Sequence, residues 1–310
     1  MAIDKKQVSS WFEQLQNEIC TKLERLDGQA AFGTDRWRRE AGGGGITRVI
    51  ESGALIEKGG VNFSEVHGKV PENMLKTLEI EQDSDQDSTF FATGVSIVLH
   101  PINPMMPIIH MNVRYLEVHG KEMNLANWFG GGIDLSPHYI FKEDAQMFHQ
   151  KLKDACDKHD SSYYAAFKKW ADDYFFVKHR KETRGVGGIF FDRLSETTDS
   201  SIESIFDFVK EVGNSFYPTY EQLANKRRNE DYTDNELGWQ ALRRGRYTEF
   251  NLIYDRGTKF GLETGGRVES ILMSLPPHSK WTYNHAPPAG SPEENTLRQL
   301  RKDVDWISPD

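Results

Sequence analysis

The segment Ile108–Val118, IIHMNVRYLEV, carries the residues best suited to chemistry. Read as a strand, it sends His110, Asn112 and Arg114 to one face and Ile109, Met111, Val113 and Tyr115 to the other. An imidazole, an amide and a fixed cation in one row suit a polar anionic ligand lying across a sheet. A solvent-facing strand is the alternative that this segment alone leaves open.

Its neighbours extend the pattern. GVSIVLHP (Gly94–Pro101) reads as an antiparallel partner across the short, proline-containing link INPMMP, which would bring Ser96 and His100 to the His110 face. NWFGGGIDLSP (Asn127–Pro137) places three glycines before Asp134, removing Cβ atoms where a flat ligand or another strand approaches. Asp134 could serve as a general base, as an acceptor for ligand N–H groups, or as the cap of a following turn. LETGGRVES (Leu262–Ser270) offers Gly265, Gly266 and Arg267, suited to presenting N–H groups and a guanidinium to a carboxylate. Arginines recur beside the glycine runs (Arg36, Arg38, Arg39, Arg48, Arg114, Arg184, Arg267), as a polycarboxylate ligand would need.

Other chemistries find less support. AGGGGITR (Ala41–Arg48) has no Lys-Ser/Thr pair, and RGVGGIFFD (Arg184–Asp192) lacks GxGxxG spacing and runs into a strand-like stretch, so nucleotide binding is not indicated. There is no GxSxG and no HExxH. His100, His110, His149 and His179 form a candidate set for a divalent metal, but no short spacing defines a site.

The elements that must position these residues follow from periodicity. Val8, Trp11, Phe12, Leu15, Ile19 and Leu23 predict an amphipathic helix over 5–26. β-Branched and aromatic runs predict strands over 46–66, 91–99 and 107–118. Helices are expected from 143 to about 179 with a break at 160–162, then over 200–228 and 234–245. Strands are expected over 248–254, 258–262 and 268–275, the first two joined by a turn at Asp255-Arg256-Gly257. The acidic run Glu79–Ser88 reads as a surface loop. Without regular βαβ alternation or a linker, the fold class is α+β, one domain over 1–310 with a mainly antiparallel sheet.

Composition narrows the class further. The chain has 310 residues, 37% of them hydrophobic, and a formal net charge of −9, which argues against nucleic acid or an anionic membrane surface as partner. Cys20 and Cys156 make no metal or redox spacing and fit a reduced protein. The first residues show neither a secretory core nor an Arg-rich transit pattern, and no stretch approaches the ~18 apolar residues of a membrane span. A cytoplasmic location, without integral membrane association, is the expectation.

Taken together, Phe32–Gly68, GVSIVLHPINPMMPIIHMNVRYLEV, WFGGGIDLSPHYIF, FFVKHRKETRGVGGIFFD, GRYTEFNLIYDRGTKFGLETGGRVESILMSLPP and the tail from Trp281 resemble the oxygen-dependent coproporphyrinogen III oxidase family, over roughly residues 6 to 306. The resemblance implies an antiparallel sheet flanked by helices on both faces, working as a homodimer, with 45–54 and 246–282 as the expected contact segments. It implies conversion of two propionates of coproporphyrinogen III to vinyl groups, giving protoporphyrinogen IX, with O₂ as co-substrate and no required cofactor. His110 falls on the proton-donor position. Asp134 and Arg184 fall on catalytic or placing positions, and Ser96, the Asn112–Val113–Arg114 run and Gly265, Gly266 and Arg267 on substrate contacts. In a bacterial branch, the four histidine positions are where a metal has been proposed. The competing readings are a metal-dependent oxygenase on another substrate and a non-catalytic tetrapyrrole-binding protein.

Overall fold

A computed structural model describes residues 3–71, 88–121, 124–198, 200–263 and 265–308. Among the described residues, seven antiparallel strands form one sheet in the order β1 (Gly33–Arg38), β2 (Gly43–Glu51), β3 (Ile56–Lys69), β4 (Thr89–Pro101), β5 (Ile108–His119), β6 (Asn124–Ser136) and β9 (Gly187–Leu194). A two-stranded hairpin, β7 (Phe176–Val177) with β8 (Glu182–Thr183), stands beside it. The α+β class and the antiparallel sheet are as expected. The tail of the acidic run, Ser88, lies just before β4, and the rest falls outside the described residues.

One sheet face makes the core. Ile109, Met111, Val113 and Tyr115 of β5 are buried with Val95, Ile97 and Leu99 of β4 and Phe129, Ile133 and Leu135 of β6. Helix α1 (Lys5–Asp27) buries Val8, Phe12, Leu15, Ile19 and Leu23 here, capped by the Asp4 carboxylate on Lys6 N–H and stopped at Gly28, where φ is 81°. Helices α2 (Lys142–Asp157) and α4 (Ile202–Arg227) complete this layer, while α3 (Tyr163–Tyr174) packs on β9 at the sheet edge. Each fully buried Leu, Ile or Phe contributes about 1.5–3 kcal/mol, which makes this face the one that fixes strand register.

The second face is covered in part. Tyr247 of α5 (Asp234–Ile253) packs on Val98 and Ile108, and Arg244 of the same helix reaches the Pro101 carbonyl at 2.8 Å and Glu57 at 2.7 Å. After α6 (Arg256–Glu263), the short α7 (Val268–Leu272) lies over β2 and β3, where Ser270 meets Thr47 at 2.6 Å and its carbonyl accepts from Asn62 at 2.7 Å. Helix α8 (Pro292–Gln299) precedes the C-terminal tail.

Three expected strands are corrected. Residues 248–254 continue α5 to Ile253, 258–262 lie in α6, and 268–275 hold α7. Their aromatic and β-branched content mimics a strand, but the burial does not alternate. Tyr247, Phe250 and Asn251 are buried at helical spacing, while Leu252 and Ile253 are exposed. No described helix is long and apolar enough to cross a membrane.

Candidate active site

The partly covered face carries three rows of residues running across the strands. In the first, Gly60, Val98, His110, Asp134 and Gly188 stand opposite one another. In the second, Asp35, Thr47, Asn62, Ser96, Asn112, Gly132 and Phe190 do. In the third, Ser64, Gly94, Arg114 and Gly130 do. The β4–β5 hairpin therefore places Ser96 opposite Asn112, as the short connection allowed, and β5 alternates as its pattern indicated. Val113 points its side chain into the core and is fully buried, so only its backbone can reach a ligand on this face.

Asp134 is the centre of the arrangement. It lies within β6 and does not cap a turn. One carboxylate oxygen accepts from His110 Nδ1 at 2.7 Å, and Arg184 reaches both oxygens from one terminal nitrogen at 2.7 Å each. Burial alone would raise the Asp134 pKa, but the Arg184 guanidinium and the His110 hydrogen bond override it and hold the carboxyl below its ordinary value. Burial likewise pulls the Arg184 pKa down, and the Asp134 carboxylate more than offsets it. The pair is a locked, ionised couple, which makes Asp134 a weak base as it stands. An ionised Asp134 must accept from His110, so Nδ1 carries the proton and, in the neutral ring, Nε2 keeps the lone pair.

Arg184 itself is held by groups that no motif announced. Its guanidinium carbon sits 4.4 Å from the Phe175 ring centre and 4.7 Å from those of Tyr247 and Phe250, and it donates to Asn251 Oδ1 at 3.0 Å. Burial pushes the Tyr247 hydroxyl up to about 12 against the pull of Arg184. The signal that could have found Tyr247, Phe250 and Asn251 is their helical spacing.

Four residues along β5 from His110, Arg114 donates to Asp192 Oδ1 at 2.7 Å and to Asn112 Oδ1 at 3.3 Å, and faces the Trp128 ring. Arg267, at the start of α7, is ion-paired with Asp35 of β1 and lies 3.4 Å from Ser270 Oγ. Four strand intervals of about 4.8 Å separate β1 from β5, so Arg114 and Arg267 stand well apart across the face. Gly265 is in the left-handed region at φ 70°, and Gly266 N–H bonds the Gly261 carbonyl at 2.7 Å. Gly265 N–H in turn bonds the Leu262 carbonyl at 3.4 Å, so both expected N–H donors are tied into the α6–α7 turn. Of the glycines in β6, Gly132 leaves space that a Cβ would contest with the Ile189 carbonyl at 2.7 Å, so close strand approach is part of their purpose.

The four histidines do not make one ligand set. His100 bonds the Ser274 carbonyl at 2.8 Å and His110 is committed to Asp134. His149 lies in the helical layer between Tyr164 and the Val186 carbonyl, and His179 pairs with Glu249 and Tyr254 beside the β7–β8 hairpin. Burial pushes His100 and His149 down to about 3. Among the described residues no group of three or more His, Cys, Asp or Glu is placed to hold a metal ion.

Comparison with known proteins places this geometry in context. Residues 7–306 match the family model described as coproporphyrinogen III oxidase. The chain is 49% identical over 300 residues to the oxygen-dependent coproporphyrinogen-III oxidase of Drosophila melanogaster, covering 95% of this chain and 76% of that protein. It is 48% identical to the mitochondrial proteins of the same name from Rattus norvegicus and Homo sapiens, again over 95% of this chain and over 67% and 65% of theirs.

Proposed function

Because the chain belongs to the coproporphyrinogen III oxidase family, we propose that it converts two propionate side chains of coproporphyrinogen III to vinyl groups with O₂, yielding protoporphyrinogen IX for haem synthesis. For each side chain the balance is R–CH₂–CH₂–COOH + O₂ → R–CH=CH₂ + CO₂ + H₂O₂. The Cα–carboxyl bond breaks, one hydrogen leaves the carbon next to the ring, and the electron pair and both protons end on dioxygen. The pyrrole ring is electron-rich, so no organic cofactor is needed to supply electrons, and we propose O₂ as the sole oxidant.

The observation that carries the reading is the buried Asp134–Arg184 couple with His110 on its accessible side. A fixed carboxylate orients the imidazole, and Nε2 can then take or return a proton at the reacting propionate. Arg114 and Arg267 hold carboxylate arms at two separated points of the face, and Ser96 and Asn112 line the surface between them. Preorganised charges on a partly covered, partly buried face act more strongly than in water. Incubation with coproporphyrinogen III in air, with protoporphyrin fluorescence read after oxidation, tests this. Vinyl product from the unaltered protein and at least ~100-fold less from His110→Ala is expected. Equal turnover by the two would remove His110 from the mechanism.

The protein is also proposed to act as a homodimer in the cytoplasm. Leu252, Ile253, Phe260, Leu262 and Val268 form exposed apolar surface within the expected 246–282 contact segment. Cys20 and Cys156 are unpaired and buried, as a reducing compartment favours.

A further inference from the structure

The register of the last strand pair contains an irregularity at the substrate end of the face. Phe129 pairs with Leu194 and Gly131 with Phe191, so two steps along β6 match three along β9. The additional residue makes a bulge, with Arg193 in the left-handed region at φ 53°. Phe191 and Leu194 both face the core, and the residue set between them on the polar face is Asp192. Opposite it stands Gly130, where a Cβ would lie only 2.6 Å from Asp192 Oδ1 and 3.1 Å from Arg114 Nε. Any larger residue at Gly130 would fill the space in which the Asp192–Arg114 pair forms.

From the bulge, the missing Cβ and the 2.7 Å bond from Arg114, we propose that Asp192 is a positioning residue for the substrate reaction: it aims the Arg114 guanidinium along the sheet so that its remaining N–H groups meet a propionate. A bulge next to a site re-aims side chains at the cost of a ladder bond. Arg114 has a long stem and its side chain is 35% exposed, so without a second anchor it would sample many rotamers in water. Asp192 holds one terminal nitrogen and Asn112 Oδ1 accepts from the other, which removes that freedom before substrate arrives. A guanidinium offers five donors, so two anchoring contacts leave others for a ligand carboxylate. Asp192 touches no reacting atom in this arrangement; it acts through Arg114.

This inference rests on the proposed reaction, and the test separates the two. Steady-state kinetics with coproporphyrinogen III are measured for the parent protein, Asp192→Ala, Arg114→Gln and the double variant, with Asp192→Asn as the form that keeps the side-chain shape. Should the parent give no vinyl product, the reaction itself is wrong. Given an active parent, Asp192→Ala is expected to raise KM about tenfold, the weight of one charge-assisted hydrogen bond, with kcat within about twofold. Asp192→Asn, which keeps a neutral acceptor, is expected to raise KM by about threefold. In the Arg114→Gln background, either Asp192 change should add nothing further. A structural role would instead give the same increment in both backgrounds. Wild-type KM in Asp192→Ala, or an undiminished increment on top of Arg114→Gln, would overturn the proposal. If Asp192→Ala does not fold, Asp192→Asn decides by the same two comparisons.

Discussion

At the scale of single residues, the account turns on Asp134. Its low pKa reflects a buried ion pair, so the stabilisation it contributes is present above the ordinary carboxylate value near ~3.9 and is lost as pH falls through the lower folded value. Asp134→Asn should therefore be destabilised most at neutral pH, and the deficit should shrink below about pH 4. Denaturant unfolding at several pH values would check this, and a deficit that grows on acidification would contradict it. Turnover in the same variant should fall at least ~100-fold, because the imidazole loses the partner that fixes its tautomer. His110, Asn112, Arg114 and Asp134 could be picked out as candidates from β alternation and the three glycines, while the same segments left a solvent-facing strand and a turn-capping Asp134 open. The chemistry assigned to Asp134 was not legible there: a weak, locked carboxylate depends on Arg184, fifty positions away, which only the folded chain brings within 2.7 Å.

At the scale of elements, the decisive helix is α5. Its start is a capping box in which Thr233 and Glu236 satisfy each other's backbone groups, and a helix from 234 follows from sequence. Its last turns, over 248–254, were expected to be strand, because Phe250, Ile253 and Tyr254 have high β propensity. Tertiary packing overrides that propensity. Tyr247 and Phe250 stack on Arg184, and Asn251 accepts its hydrogen bond, which no extended segment could arrange from one side. Asn251→Leu leaves a buried guanidinium N–H unpaired and should cost about 1–3 kcal/mol of stability, with lower kcat from a looser Arg184. Unchanged thermal unfolding and unchanged kcat in that variant would show that α5 merely covers the site. In β6, Gly132→Ala forces a Cβ to within 2.7 Å of the Ile189 carbonyl and should cost about 1–3 kcal/mol, readable by denaturant titration.

At the scale of the whole molecule, the sheet divides labour between its faces. One is apolar and sets register; the other keeps polar rows and is only partly roofed by α5 and α7. Fold class and strand alternation were readable because they are local regularities. The start of α5 was readable too, but its last turns and the helices α6 and α7 were not, since their apolar residues serve the site, the sheet and an exposed patch at once. If that patch is a subunit contact, the double variant Leu252→Asp, Ile253→Asp should shift the protein to monomer by light scattering, without loss of helix content. A variant that stays a dimer would place the contact elsewhere.

The most direct test of the central claim is a joint measurement of O₂ consumed and CO₂ released by chelator-treated protein given coproporphyrinogen III. The account predicts one O₂ per CO₂, two of each per macrocycle in air, and no CO₂ under argon. Release of CO₂ without oxygen, or a folded protein that recovers activity only when a divalent metal is restored, would contradict it.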